Sequence, residues 1–127
     1  MDFETAKAKM AAFEKARGWE KHHKPKDLAI KLCLESSEVL DLFEWLSEDE
    51  VKKILSDSSF KAALSEECVD VFITLIQLCD RCGINLPQEF AKSYEEDEKR
   101  FPVEKSKGLD MLQWKLKKIR EKKTVKT

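Results

Sequence analysis

In KDLAIKLCLESSEVLDLFEW, residues 26–45, apolar side chains recur every three or four positions and cover most of a helical circumference. That is the pattern of a helix buried between several partners. Inside it stand Glu35 and Glu38, flanked by Leu32, Cys33, Leu34, Val39 and Leu40. SEECVDVFITLIQL, residues 65–78, repeats the arrangement with Glu67 and Asp70 among Cys68, Val69, Val71 and Phe72. Residues three apart on a helix share a face, with Cβ atoms roughly 5–6 Å apart, so each pair presents two carboxylates side by side. Two such helices packed together would converge four negative charges. Carboxylates crowded in a low-dielectric setting must take up protons or bind cations. Where oxygen ligands meet phosphate substrates, the usual cation is Mg²⁺.

Charged residues make up 39% of the chain, so acidic pairs at this spacing also arise by chance. Glu95 and Glu98 have the same separation, but their neighbours Glu96, Asp97 and Lys99 read as a solvated face. Glu35, Glu38, Asp41 and Glu44 form a run at steps of three, and each step advances about 300° around the helix. The run therefore drifts, and Glu44 ends opposite Glu35. Only the two pairs set among apolar neighbours combine spacing with burial, and they are the candidate metal ligands.

Outward from these two segments the chain of 127 residues reads as helical throughout, with only three glycines and three prolines to interrupt it. Asp2 is placed to cap a first helix whose Phe3, Ala6, Met10 and Phe13 recur on one stripe, with Gly18 just past its end. A polar connector, WEKHHKPK, leads to a second helix over about residues 27–45. Ser47 with Glu50 has the capping-box spacing for a short helix ending near Leu55, and Asp57, Ser58 and Ser59 mark a loop. A third long helix spans about residues 60–82 and stops at Gly83; Pro87 then opens a fourth helix carrying Phe90 and Tyr94, which ends before Pro102. Beyond Gly108, LDMLQWKLKKIREKK sets Leu109, Leu112, Leu116 and Ile119 on one stripe opposite lysines. The expectation is an all-α fold: a four-helix bundle with an additional C-terminal amphipathic helix.

Several function classes are disfavoured. No apolar run is long enough to span a bilayer and MDFETAKAKM lacks a signal-peptide pattern, so no membrane partner is expected. Four cysteines without a disulfide framework fit the reducing cytoplasm. A formal net charge of −1 argues against a stable nucleic-acid partner, although the segment from Lys115 to Thr127 is strongly basic. Cys79 and Cys82 fall at a helix end with no βαβ pattern, which reads as buried free thiols rather than redox chemistry. His22 and His23 are adjacent and cannot share one metal from a helix, which leaves a phosphate or base contact open. Neither acidic pair continues into the Glu-x-x-His of helical di-iron proteins. No Gly-rich phosphate loop is present, so a triphosphate would have to be held through metal ions and cationic side chains.

The order Glu35-Ser-Ser-Glu38, a long gap, then Glu67-Cys-Val-Asp70 resembles the MazG-like all-α nucleoside triphosphate pyrophosphohydrolases. RGWEKHHKPKDLAIKLCLESSEVLDLFEW is similar to the corresponding stretch of the dCTP pyrophosphatase branch, including Trp19, His23, Pro25, Leu28 and Trp45; LCDRCGINLP and the KRFP at Lys99–Pro102 are similar as well. The resemblance implies a MazG-like pyrophosphohydrolase domain over residues 1–107, followed by the amphipathic helix and basic tail over residues 108–127. It implies Mg²⁺-dependent hydrolysis of a (deoxy)nucleoside triphosphate to the monophosphate and pyrophosphate, a house-cleaning of the nucleotide pool with dCTP or a related nucleotide as substrate. The metal would be held by Glu35, Glu38, Glu67 and Asp70, with Glu35 as general base. Trp19 and Trp45 match base-pocket positions, His23 and Thr74 belong to the same substrate-binding set, and Lys99 and Arg100 could pair with the outer phosphates. The family's assembly further implies a homo-oligomer, a dimer of dimers.

The departures bear on substrate choice. One turn after Asp70, where the dCTP branch has a tyrosine, this chain has Thr74; the asparagine of the fourth helix is replaced by Asp97, and Glu98 thins the cationic run. A broad deoxynucleotide hydrolase and a dCTP-preferring one both remain open. The alternative from another class is a catalytically silent helical module that senses nucleotide or docks a partner.

Overall fold

A computed structural model of the chain describes residues 1–125. Every regular element among them is helical: α1 (Phe3–Arg17), a 3₁₀ turn (Trp19–Lys21), α2 (Pro25–Asp41), α3 (Glu48–Ile54), α4 (Ser58–Cys82), α5 (Leu86–Arg100), α6 (Val103–Ser106) and α7 (Met111–Val125). The all-α class expected from periodicity is the class observed. The chain forms two compact units, Met1–Pro87 and Gln88–Thr127.

In the first unit, α2 and α4 form the principal packed pair and α1 packs on α4. The buried apolar side chains come from all three: Ala6 on α1, Leu28 on α2, Ile76 and Cys79 on α4. Local chemistry sets the ends of these helices. The Asp2 carboxylate accepts from the Thr5 backbone N–H at 2.8 Å, and Gly18 closes α1 at φ 63°, a left-handed position that glycine takes without strain. The Ser47–Glu50 capping box is present in both directions, at 3.2 and 3.0 Å. Gly83 ends α4 at φ 66°.

Three boundaries differ from the sequence reading. The long second helix begins at Pro25 rather than near Asp27, because a proline at the first helical position has no N–H to leave unsatisfied and a φ already set for the helix. It ends at Asp41 rather than Trp45, where the Leu40 carbonyl accepts from both Phe43 and Glu44 and tightens the chain into a turn. The expected loop at Asp57–Ser59 is instead a helix start: the Asp57 carboxylate accepts from the backbone N–H groups of Ser59 and Phe60 at 2.9 and 3.0 Å, so α4 gains Ser58 and Ser59.

In the second unit α5 is exposed from Gln88 to Arg100, as the Glu95–Glu98 neighbourhood implied. The C-terminal amphipathic helix forms as α7, capped by Asp110, whose carboxylate accepts from Gln113 N–H at 3.1 Å. Leu109 therefore precedes the helix instead of opening its stripe. Residues 126–127 of the basic segment lie outside the described residues.

Candidate metal centre

Packing α2 along α4 brings the two acidic pairs to one place. Glu35, Glu38 and Glu67 each offer a carboxylate oxygen, and these three oxygens lie within 4.8 Å of one another. Asp70 stands outside that triplet, yet its charge acts on both Glu35 and Glu67. Loss of hydration pushes the Glu35 carboxyl above the ordinary range, reinforced by the charge of Glu38, a hydrogen bond with it and the charge of Asp70; Lys31 pulls the other way. Glu67 is pushed up first by its hydrogen bond with Glu38, then by desolvation and the charges of Glu38, Asp70 and Glu35. The surrounding carboxylates thus hold Glu35 and Glu67 away from the charged form, which is the electrostatics of a site lacking a countercharge.

Two further observations bear on a metal. Glu67 Oε2 is buried with no hydrogen-bond partner among the described residues, and an orphaned buried carboxylate oxygen is costly unless something occupies its lone pairs. The serines interleaved with the acids are already engaged: Ser36 and Ser37 donate to the Leu32 and Leu34 carbonyls at 2.8 and 2.6 Å, and Ser65 donates to the Lys61 carbonyl at 2.8 Å. The donor set is therefore all carboxylate, and hard cations such as Mg²⁺ take oxygen ligands of this kind.

The remaining candidate residues are distributed unevenly. Trp19 is 44% exposed, its ring in edge contact with Phe13 at 5.6 Å and with His23 at 6.1 Å. Trp45 is 91% exposed and holds a left-handed backbone at φ 69°, a conformation a tryptophan seldom adopts. Thr74 is fully buried, and its hydroxyl donates to the Asp70 carbonyl at 2.8 Å. In the second unit Lys99 pairs with Glu95 at 3.2 Å, and the Arg100 guanidinium lies 5.1 Å from the Phe101 ring centre. Of the four cysteines only Cys79 is buried; the exposed Cys82 departs from the expected pair of buried thiols.

Comparison with known proteins establishes the family. The sequence profile of the MazG-like family matches residues 30–123. The chain belongs to the MazG-like family. Mouse dCTP pyrophosphatase 1 is 37% identical over 98 residues, 77% of this chain and 58% of that protein; the human dCTP pyrophosphatase 1 is 33% identical over 93 residues, 73% and 55% respectively. The chain thus spans under two thirds of the length of these relatives. Among solved structures, a pyrophosphatase from Archaeoglobus fulgidus superposes with a TM-score of 0.67 at 36% identity, covering 73% of this chain and 85% of that one.

The MazG-like chain also contains a polar cluster that sequence reasoning passed over. Glu14, on α1, is 1% exposed and accepts from His23 Nδ1 at 2.9 Å, from the Gln77 amide and from the Arg81 guanidinium. The signal was available: Glu14 lies one turn after Met10, so the buried stripe runs through Glu14 while Phe13, the residue assigned to it, is 39% exposed.

Proposed function

We propose that this MazG-like protein is a Mg²⁺-dependent nucleoside triphosphate pyrophosphohydrolase acting on dCTP or a related deoxynucleotide. The observation that carries the reading is the triplet of carboxylate oxygens from α2 and α4, with Glu67 Oε2 buried and unpartnered. The names of its dCTP pyrophosphatase relatives and of the archaeal pyrophosphatase support it.

Glu35, Glu38, Glu67 and Asp70 would hold the metal. When bound, Mg²⁺ neutralises the triphosphate and polarises the α-phosphoryl group. A water oxygen then bonds to the α phosphorus while the bond from that phosphorus to the bridging oxygen breaks; pyrophosphate leaves, and Glu35 accepts the water's proton. Trp19 and Trp45 offer flat faces to the base, for which stacking on an aromatic ring contributes about 1–3 kcal/mol. The expected roles of Lys99 and Arg100 on the outer phosphates, and of Thr74 near the sugar and base, rest on the sequence resemblance.

The same reading includes self-association. Ile30 and Leu34 on α2 and Val69 and Phe72 on α4 are exposed, and exposed apolar surface is what subunit interfaces cover. A dimer of dimers in the cytoplasm would cover it; no helix among the described residues is long and apolar enough to cross a membrane. A panel of nucleoside triphosphates with Mg²⁺, read out as pyrophosphate against orthophosphate, tests the activity. Pyrophosphate from dCTP supports it, and a panel that yields no product leaves the silent binding module as the better reading.

A further inference from the structure

The cluster around Glu14 has no place in the metal chemistry, yet it joins α1, the connector after it and α4. Three donors converge on one buried carboxylate: His23 Nδ1 and the Gln77 amide on Oε1, the Arg81 guanidinium on Oε2. Arg81 also donates to Asp80 at 3.0 Å. Gln77 turns its amide nitrogen to Glu14 and leaves its own Oε1 buried without a partner among the described residues, so the carboxylate dictates the orientation of its neighbours. A carboxylate accepting on both oxygens has no proton to give, which makes Nδ1 the protonated nitrogen of His23. In a neutral imidazole with Nδ1–H, Nε2 is an acceptor. The His23 ring is only partly buried and meets the exposed Trp19 ring edge-on, 70° from coplanar.

We propose that Glu14 is a positioning residue of the nucleotide site: it holds His23 as the Nδ1–H tautomer, so that Nε2 accepts a hydrogen bond from an amino-bearing base lying against Trp19. The inference rests on the hydrolase reading for the identity of the ligand. Its chemistry distinguishes bases, because cytosine presents an N–H donor where uracil and thymine present a carbonyl oxygen. A buried Glu14 whose only task was to pin α1 to α4 would affect stability and leave base selectivity alone.

Nitrogen shifts of ¹⁵N-histidine in the full-length protein, with His23 assigned by its loss in His23→Gln, read the tautomer directly. A proton on Nδ1 with Nε2 bare is expected; a proton on Nε2, in the other tautomer or in an imidazolium, would overturn the proposal. Glu14→Gln keeps the shape but leaves one acceptor oxygen for three donors. It should raise the KM for dCTP about tenfold, the worth of one hydrogen bond near 1.4 kcal/mol, with kcat held within about twofold. The preference for dCTP over dUTP should fall by a similar factor. If Glu14→Gln does not fold, His23→Gln carries the same kinetic test with Glu14 still bound to Gln77 and Arg81. A lower melting temperature with unchanged KM and unchanged base preference would overturn the proposal. Should the wild-type protein hydrolyse no nucleotide, the hydrolase reading fails separately, and dCMP decides this one: a shift of the His23 Nε2 resonance with dCMP and none with dUMP supports it, and no shift with either overturns it.

Discussion

Glu67 concentrates the electrostatic cost of the site, and its behaviour with pH follows from the sign of its shift. Its folded-state carboxyl, like that of Glu35, titrates above the ordinary 4.5, so the folded protein binds these protons more tightly than the unfolded chain. Stability from the pair is therefore gained as pH falls through the raised values toward 4.5 and lost as pH rises through them. Asp2, Glu50 and Asp57 have the opposite sign: backbone and hydroxyl donors hold them low, and what they contribute is lost as pH falls through their folded values. Glu67→Gln should raise the melting temperature of the metal-free protein at pH 7, and the rise expected of the wild type on adding Mg²⁺, if the proposed site binds it, should be absent in the variant. Calorimetry with and without Mg²⁺ checks both, and a variant that still gained stability from Mg²⁺ would remove Glu67 from the site. That Glu35, Glu38 and Glu67 would converge was legible in the sequence because spacing of three and apolar neighbours both pointed to them, whereas Asp70, singled out on the same grounds, stands outside the triplet. Glu14 was legible only as a position on the α1 stripe, one turn after Met10; its partners Gln77 and Arg81, more than sixty residues away, were not.

Helices α2 and α4 were legible as long helices, since their apolar periodicity is strong and the glycine stop of α4 is a local property of the chain, but the burial of α2 between several partners was misjudged: α2 packs chiefly on α4, Leu28 is its one buried side chain, and Ile30, Leu34 and Leu40 are exposed. The helix boundaries were also less legible. Whether Ser58 and Ser59 belong to a loop or a helix depends on the Asp57 carboxylate folding back onto their backbone, and the end of α2 depends on competition for the Leu40 carbonyl. The packing of α2 against α4 brings the carboxylate triplet together, and Leu28, in the first turn of α2, is the one side chain of that helix that is fully buried. Leu28→Ala should cost about 2–5 kcal/mol, the range for truncating a buried leucine, measured by urea unfolding at saturating Mg²⁺. A cost below about 1 kcal/mol would show that α2 is held by something other than this contact.

The molecule as a whole carries apolar side chains that its own fold leaves uncovered. Among them are Ile30 and Leu34 on α2 and Val69 and Phe72 on α4, the same helices that bear the acids. That α2 is apolar over most of its circumference could be read from residues 26–45, but which face meets α4 and which stays open could not, because the pattern is nearly the same on both. If self-association covers the open faces, Val69→Asp should lower the mass measured by light scattering, since an unpaired charge resists burial. An unchanged mass would place the assembly elsewhere or leave the protein a monomer.

Hydrolysis of dCTP in ¹⁸O-water with Mg²⁺, followed by mass spectrometry of both products, tests the central claim most directly. Attack at the α phosphorus places the label in dCMP and leaves the pyrophosphate unlabelled, with no turnover in Glu38→Gln. Label in pyrophosphate, label in orthophosphate beside dCDP, or full activity in Glu38→Gln would contradict the account.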